Sequence, residues 1–228
     1  MLGKVLPHQV EIIYKMLSNL PQGNEYKIVH LGFGNPLFEH INLKNWAYRI
    51  YDLQRQEYTD IRGNKPKRLI RKINVIFSDI WYKSTDIETV WKWNLLLRSE
   101  ISNFGDSLFS DSCSGKQEFR TLDAANLELS NNSMDFVIAI GLFSKHGVPG
   151  VWRNLSVVLS EINRVLKESG NLIITIKSKY FAEFKEESVK GNFSVEVLDE
   201  AIDTVSDYDT KEKRMLLKLS KNPSNTHA

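Results

Sequence analysis

The sequence of 228 residues contains one cysteine, Cys113, which excludes an intramolecular disulfide and a cysteine-based zinc site. No apolar run approaches the ~18 residues of a membrane-spanning helix. Residues 1–20 lack the apolar core and cleavage site of a signal peptide. The chain has no large excess of either charge, since it contains 30 Lys and Arg and 28 Asp and Glu. Its net charge alone therefore does not indicate a nucleic-acid binder. These absences predict a cytoplasmic protein in a reducing compartment.

The composition that remains is typical of a globular protein. Hydrophobic residues make up 42% of the chain and charged residues 25%, which is enough apolar material for a sizeable core. We expect residues 1–228 to form a single domain. Within it, the pattern predicts an N-terminal helix in residues 1–24, a mobile loop at 103–117 and a flexible tail at 222–228.

The most informative stretch runs from Phe119 to Ser178. Met134–Ile140 and Leu172–Ile176 are short apolar runs typical of strands that are covered on both faces. Between them, Trp152–Lys167 has apolar residues at steps of three and four, which predicts a helix with one buried face. A strand, a helix and a strand in this order predict a βαβ unit over a parallel sheet.

The end of this helix carries two further predictions. Gly170 stands where a left-handed C-cap residue is expected, and Lys167 in the last turn would meet the negative end of the helix dipole. The pattern also places Glu161, Arg164 and Glu168, together with Lys167, on or near the exposed face.

Three motifs in this stretch point to one family. They are the acidic Asp123 followed by Ala124, the strand Ser133–Val137 (SMDFV) and the helix end Glu161–Gly170 (EINRVLKESG), which is followed by the strand NLIIT. Together they resemble the second half of a class I S-adenosylmethionine-dependent methyltransferase domain. The resemblance implies a Rossmann-like three-layer α/β sandwich with a seven-stranded, mostly parallel sheet. Phe193–Leu198 and Arg214–Leu219 would form its final antiparallel pair, with strand seven between strands five and six.

The resemblance extends to a glycine pair near the N-terminus. Ile28, Val29 and Leu31 predict a first strand, and Gly32 and Gly34 follow at its carboxyl end, where glycine allows a tight turn and close approach of a ligand. In the family this loop contacts the methionine and ribose parts of the cofactor.

Two positions of this loop depart from the family pattern. Pro36 replaces a third glycine, and His30 occupies the usual acidic position, so that only a neutral imidazole or a backbone carbonyl would accept a hydrogen bond from the cofactor.

The family also has an acidic residue at the end of the second strand, which accepts both ribose hydroxyls. Asp52 lies at the usual short distance after the glycine loop but ends a poor strand. Asp79 ends the convincing β-branched run Ile73–Ser78 and requires a longer first crossover. We favour Asp79 and keep Asp52 as the alternative; either residue would also suit a helix N-cap.

Other site residues follow from the same resemblance. The Asp123 carboxylate would accept the adenine amine, and the next backbone amide, that of Ala124, would donate to the ring; a turn-capping role for Asp123 is an equal alternative. Gly141 opens the loop after the fourth strand and would contact the cofactor. In the same loop, His146 is a candidate general base at neutral pH.

The acceptor is less defined than the cofactor. The segment Arg62–Lys72 holds six basic residues and would suit phosphate contacts with a nucleic acid, but no aromatic stacking pattern accompanies it. The loop after the fourth strand also lacks the Asn/Asp-Pro-Pro-aromatic signature of enzymes that methylate nucleic-acid amino groups. We therefore favour a small-molecule acceptor and expect no metal site.

The interpretation is thus a methyltransferase in which the acceptor attacks the sulfonium methyl directly. The main alternative is a catalytically inactive, methyltransferase-like interaction module, motivated by His30 and Pro36. A nicotinamide dehydrogenase is less consistent with the residues, because the glycine loop lacks its third glycine and no Tyr-x-x-x-Lys pair follows.

Overall fold

A computed structural model describes residues 7–21, 24–32, 72–78, 117–140, 142–143, 151–203 and 212–223. The described helices are α1 (Pro7–Ser18), α2 (Leu155–Val165) and α3 (Phe181–Lys190). The described strands are β1 (Glu25–Leu31), β2 (Lys72–Ser78), β3 (Gln117–Arg120), β4 (Met134–Ala139), β5 (Leu166–Lys177), β6 (Phe193–Asp203) and β7 (Glu212–Lys221). α1 lies within the segment 1–24 for which a helix is predicted, and β6 and β7 contain the two predicted final strands.

The described strands form one seven-stranded sheet with the order β3-β2-β1-β4-β5-β7-β6. β7 runs antiparallel to both of its neighbours, whereas the pairs from β3 to β5 are parallel. The predicted Rossmann-like sheet, with its antiparallel strand inserted between β5 and β6, is therefore confirmed. The strand order reverses between β1 and β4, and in such sheets ligands bind beyond the carboxyl ends of the strands at that reversal.

Helices cover both faces of the sheet. Along β1 the side chains alternate, so that Val29 and Leu31 join the apolar cluster beneath α2 and α3, whereas Ile28 joins the cluster beneath α1. α1 contributes Ile13 and Leu17 to the second cluster, and both are fully buried. No described helix is long and apolar enough to cross a membrane.

The predicted end of α2 is wrong. The helix begins at Leu155 and ends at Val165, and Leu166 is already extended. Leu166 is fully buried and pairs with Met134. The helix therefore stops before Leu166, because this residue is more stable as part of the sheet than in another helical turn. Gly170 accordingly lies within β5 and has no left-handed backbone.

Lys167 also has a different role from the predicted one. Its Nζ lies 2.7 Å from Asp135 Oδ1, and the other oxygen of Asp135 accepts the N–H of Lys27 at 2.8 Å. The side chain therefore ties β5 to the beginning of β4 and does not meet the carbonyl end of α2.

Glycine is needed at position 170 because residues 166 and 167 lie close to its Cα, and not because it caps a helix. A Cβ at this position would lie 2.9 Å from the backbone oxygen of Lys167 and 3.0 Å from Leu166 Cδ2. We expect Gly170→Ala to lower the free energy of unfolding by about 1–3 kcal/mol, because backbone would have to move. Gly191→Ala is the control, since its nearest contacts would be at 3.4 Å. Urea unfolding measures both; equal stability of the two variants would contradict the prediction.

Candidate functional site

The turn after β1 lies at the reversal of strand order. Gly32 follows the last residue of β1 and has φ +67°, a left-handed conformation that favours glycine. A Cβ at Gly32 would lie 3.0 Å from Leu142 Cδ1 and 3.3 Å from Leu142 Cβ. Because Leu142 follows β4, the chain segments leaving β1 and β4 are in close contact there. The predicted need for glycine at this turn thus has a geometric basis.

The carboxyl ends of β1 and β2 are joined by a hydrogen bond. Ser78 Oγ donates to the backbone oxygen of His30 at 3.2 Å, and both residues are fully buried. Burial lowers the pKa of the His30 imidazole to about 3, so the ring is neutral at pH 7. Since the ring has no exposed surface in this conformation, its predicted contact with the cofactor stays a prediction.

Asp123 closes a turn shortly after β3. Its Oδ1 accepts the N–H of Ala125 at 2.9 Å, and its backbone oxygen accepts the N–H of Asn126 at 3.0 Å. The carboxylate is exposed, whereas Ala124 is buried in the apolar cluster beneath α2. The turn-capping role is therefore present, but it uses only one carboxylate oxygen.

The turn leaves a donor and an acceptor next to each other. Among the described residues, no hydrogen bond reaches Asp123 Oδ2 or the N–H of Ala124. Adenine presents an amine donor beside a ring-nitrogen acceptor, which is the complementary pattern. The residues present therefore fit an adenosyl group at this edge.

Several predicted site residues lie outside the described residues. They are Gly34, Pro36, Asp52, Asp79, Gly141 and His146, together with the basic segment before Lys72 and most of the 103–117 loop. β2 ends at Ser78, directly before Asp79, so the strand on which the choice of Asp79 rests is confirmed. The roles of these residues stay predictions.

One pair of residues on α2 has partners that the sequence pattern did not indicate. Glu161 and Arg164, predicted on or near the exposed face, are half-buried and bind the segment between β3 and β4. Glu161 Oε1 accepts the N–H of Leu127 at 2.7 Å, and Arg164 Nη2 donates to the oxygen of Leu127 at 2.7 Å. The spacing of three residues between Glu161 and Arg164 was a local signal for their ion pair. The sequence contains no such signal for the contact of this pair with the backbone of Leu127, which lies 34 to 37 residues away in the chain.

A separate cavity of about 380 Å³ opens on the sheet. Its walls come from the first half of β1, the middle of β2, β3 and residues 128–134, and they do not include Gly32, Ser78 or Asp123. Within the described ranges, no group of three or more His, Cys, Asp or Glu side chains is placed to hold a metal ion.

Comparison with known proteins agrees with this geometry. Residues 102–174 match a family described as a methyltransferase domain, whereas no curated protein matches the sequence. The fold is similar to three solved structures, each with a TM-score of 0.57: the YcgJ protein of Bacillus subtilis, a SAM-dependent methyltransferase of Methanosarcina mazei and an arsenic(III) S-adenosylmethionine methyltransferase of Chlamydomonas reinhardtii. In the same order, the sequence identities are 10%, 13% and 13%. The matches cover 94%, 96% and 96% of this chain, and 98%, 99% and 76% of the respective other chains.

Proposed function

We propose that the chain transfers a methyl group from S-adenosylmethionine to a small-molecule acceptor, because residues 102–174 match a methyltransferase-domain family and the fold is similar to that of an S-adenosylmethionine-dependent methyltransferase. The reaction takes place beyond the carboxyl ends of β1, β2, β3 and β4. The observation that carries the proposal is the left-handed Gly32 in contact with Leu142 at the reversal of strand order. The Asp123 Oδ2 acceptor and the Ala124 N–H donor, which have no hydrogen-bond partner within the described part of the chain, support it independently.

Each part of the cofactor has its own contacts in this proposal. Gly32 and Gly34 lie under the methionine and ribose parts, Asp79 accepts the ribose hydroxyls, and the Asp123-Ala124 turn pairs with adenine. Gly141 contacts the cofactor from the loop after β4.

Catalysis in this proposal depends mainly on positioning. Bound S-adenosylmethionine supplies an electrophilic methyl group on its sulfonium. The protein aligns the acceptor's lone pair with the methyl carbon and excludes water, so that the new bond to carbon forms as the carbon–sulfur bond breaks. When the acceptor carries a proton, His146 removes it.

The choice between Asp79 and Asp52 has a direct test. We expect Asp79→Ala to weaken binding of S-adenosylhomocysteine about tenfold or more, because a charge-assisted pair to the ribose hydroxyls is lost. Asp52→Ala is the control and is expected to bind nearly as the wild type. Calorimetric titration measures both affinities; the opposite order would assign the ribose contact to Asp52.

The class of methyl acceptor is inferred by elimination, because the sequence favours neither a nucleic acid nor arsenic(III). The basic segment Arg62–Lys72 would be the contact surface for a nucleic acid, but it comes without a stacking pattern. The arsenic(III) acceptor of the Chlamydomonas enzyme is also disfavoured, since soft centres prefer thiolate ligands and the chain has a single cysteine. A small organic molecule in the cytoplasm is the acceptor class that fits best.

A catalytically inactive interaction module is the second candidate. The observation that favours it is His30, which replaces an acidic residue and is buried and neutral. Titrations of the wild type with S-adenosylmethionine, S-adenosylhomocysteine and NAD separate the alternatives. The proposal requires binding of the first two and not of NAD. Binding of none would favour the interaction module, and binding of NAD alone a dehydrogenase.

A further inference from the structure

Residues 121–133 join β3 to β4 without a helix or a strand. Among the described residues, two backbone hydrogen bonds outside the helices and strands join this segment to the rest of the protein: the N–H of Asn132 donates to the oxygen of Arg164 at 2.9 Å, and that of Ser133 donates to the oxygen of Val165 at 2.8 Å. Both bonds lie at the end of the segment that enters β4. The turn at Asp123, at the other end, therefore depends on side chains for its position.

Arg164 supplies most of these side-chain contacts. Its Nε and Nη2 donate to the two oxygens of Glu161 at 2.8 and 2.6 Å. Its remaining N–H groups donate to the backbone oxygens of Leu127 and Leu129 at 2.7 and 2.9 Å, and to Asn131 Oδ1. All five N–H donors of the guanidinium are thus used, which no other side chain can reproduce.

Glu161 completes the arrangement from the opposite side. Its Oε1 accepts the N–H of Leu127, so the ion pair holds both backbone groups of that residue. The hydrogen bond from Arg164 lowers the pKa of the Glu161 carboxyl, and the same bond raises the pKa of Arg164. Leu127 directly follows the Asp123–Asn126 turn and is itself buried.

We propose that Glu161 and Arg164 are positioning residues for adenine recognition, because they fix Leu127 and thereby hold the Asp123-Ala124 donor and acceptor at the edge of the cofactor site. The inference rests on the proposed function. The pair does not touch the cofactor. Its effect is therefore on the discrimination between bases and not only on protein stability.

The test compares two ligands that differ at the recognised edge. S-adenosylhomocysteine presents an amine donor and a ring acceptor, whereas S-inosylhomocysteine presents an oxygen acceptor and a ring N–H donor. We expect the wild type to bind the adenosyl ligand at least about tenfold more tightly, since the inosyl ligand would leave both groups of the turn without partners. In Arg164→Gln this ratio is expected to fall below about threefold, with the affinity for the inosyl ligand nearly unchanged.

Lys167→Gln is the matched control. It removes the ion pair with Asp135, whose side chains are 38% and 16% exposed, against 34% and 15% for Arg164 and Glu161. We expect this variant to lose some thermal stability, though less than Arg164→Gln, which loses five hydrogen bonds, and to keep the wild-type ratio. If Arg164→Gln does not fold, Glu161→Gln, which keeps the side-chain shape, provides the same comparison.

The outcomes separate the inference from the proposed function. A wild type that binds neither ligand overturns both. If the wild type binds S-adenosylhomocysteine but does not discriminate between the ligands, the inference alone fails. It also fails if the substitution at Arg164 or Glu161 keeps the ratio, or if Lys167→Gln loses it equally.

Discussion

Gly32→Ala is expected to weaken binding of S-adenosylhomocysteine at least about tenfold and to lower the free energy of unfolding by about 2 kcal/mol. Gly32 has φ +67°, so any side chain strains the backbone there. The added Cβ would also lie 3.0 Å from Leu142 Cδ1. Relief of the strain moves the turn after β1 or the segment after β4, and both border the proposed cofactor site.

Gly191→Ala is the control for this variant. Gly191 has φ −75°, and its nearest contacts to an added Cβ would be at 3.4 Å, so we expect near wild-type binding and stability. Calorimetry gives the affinities and urea unfolding gives the stabilities. A Gly32→Ala variant with wild-type affinity would place the cofactor away from this turn.

Acid is expected to destabilise the protein through His30. The folded-state pKa of about 3 lies below the ordinary value of 6.5, so below pH 6.5 the unfolded chain binds a proton that the folded protein does not. The stability that the neutral ring contributes is fully present above pH 6.5 and is lost progressively as the pH falls toward 3. Between pH 7.5 and pH 5.0 this loss amounts to about 2 kcal/mol.

His30→Gln isolates this effect, because it removes the titrating group and keeps a side chain that forms hydrogen bonds. Whatever the stability of the variant at pH 7.5, we expect it to fall by about 2 kcal/mol less than that of the wild type between pH 7.5 and 5.0. Urea unfolding at several pH values measures the difference. Parallel curves for the two proteins would show that His30 does not remain neutral in the folded state.

The βαβ unit and the order of its strands were predictable because their signals are local. Met134–Ile140 and Leu172–Ile176 are apolar runs, and the buried residues of α2 recur with the helical period. The second strand was identified in the same way, since Ile73–Ser78 is rich in β-branched residues. Helix α3 was not predicted, because it buries only Phe184 and Ser188 and so has a weak periodic signal.

The sequence pattern failed where a residue's structure depends on partners that are distant in the chain. α2 ends at Val165 because Leu166 pairs with Met134, a contact that the local pattern of Glu161–Gly170 does not contain. The hydrogen bonds from Arg164 to Leu127 and Leu129 were not predicted, because these partners lie in a segment without regular structure. For Asp123, the sequence left two roles open; the structure shows the capping bond to Oδ1, and the contact with adenine stays a prediction.

The central claim is that Gly32, the Asp123-Ala124 turn and the segment after β4 border one adenosyl site. A crystal structure grown with S-adenosylhomocysteine tests it most directly. We expect the homocysteine and ribose parts over Gly32, and the adenine amine within hydrogen-bonding distance of Asp123 Oδ2. Ligand bound elsewhere, or adenine directed away from Asp123 and Ala124, would contradict it.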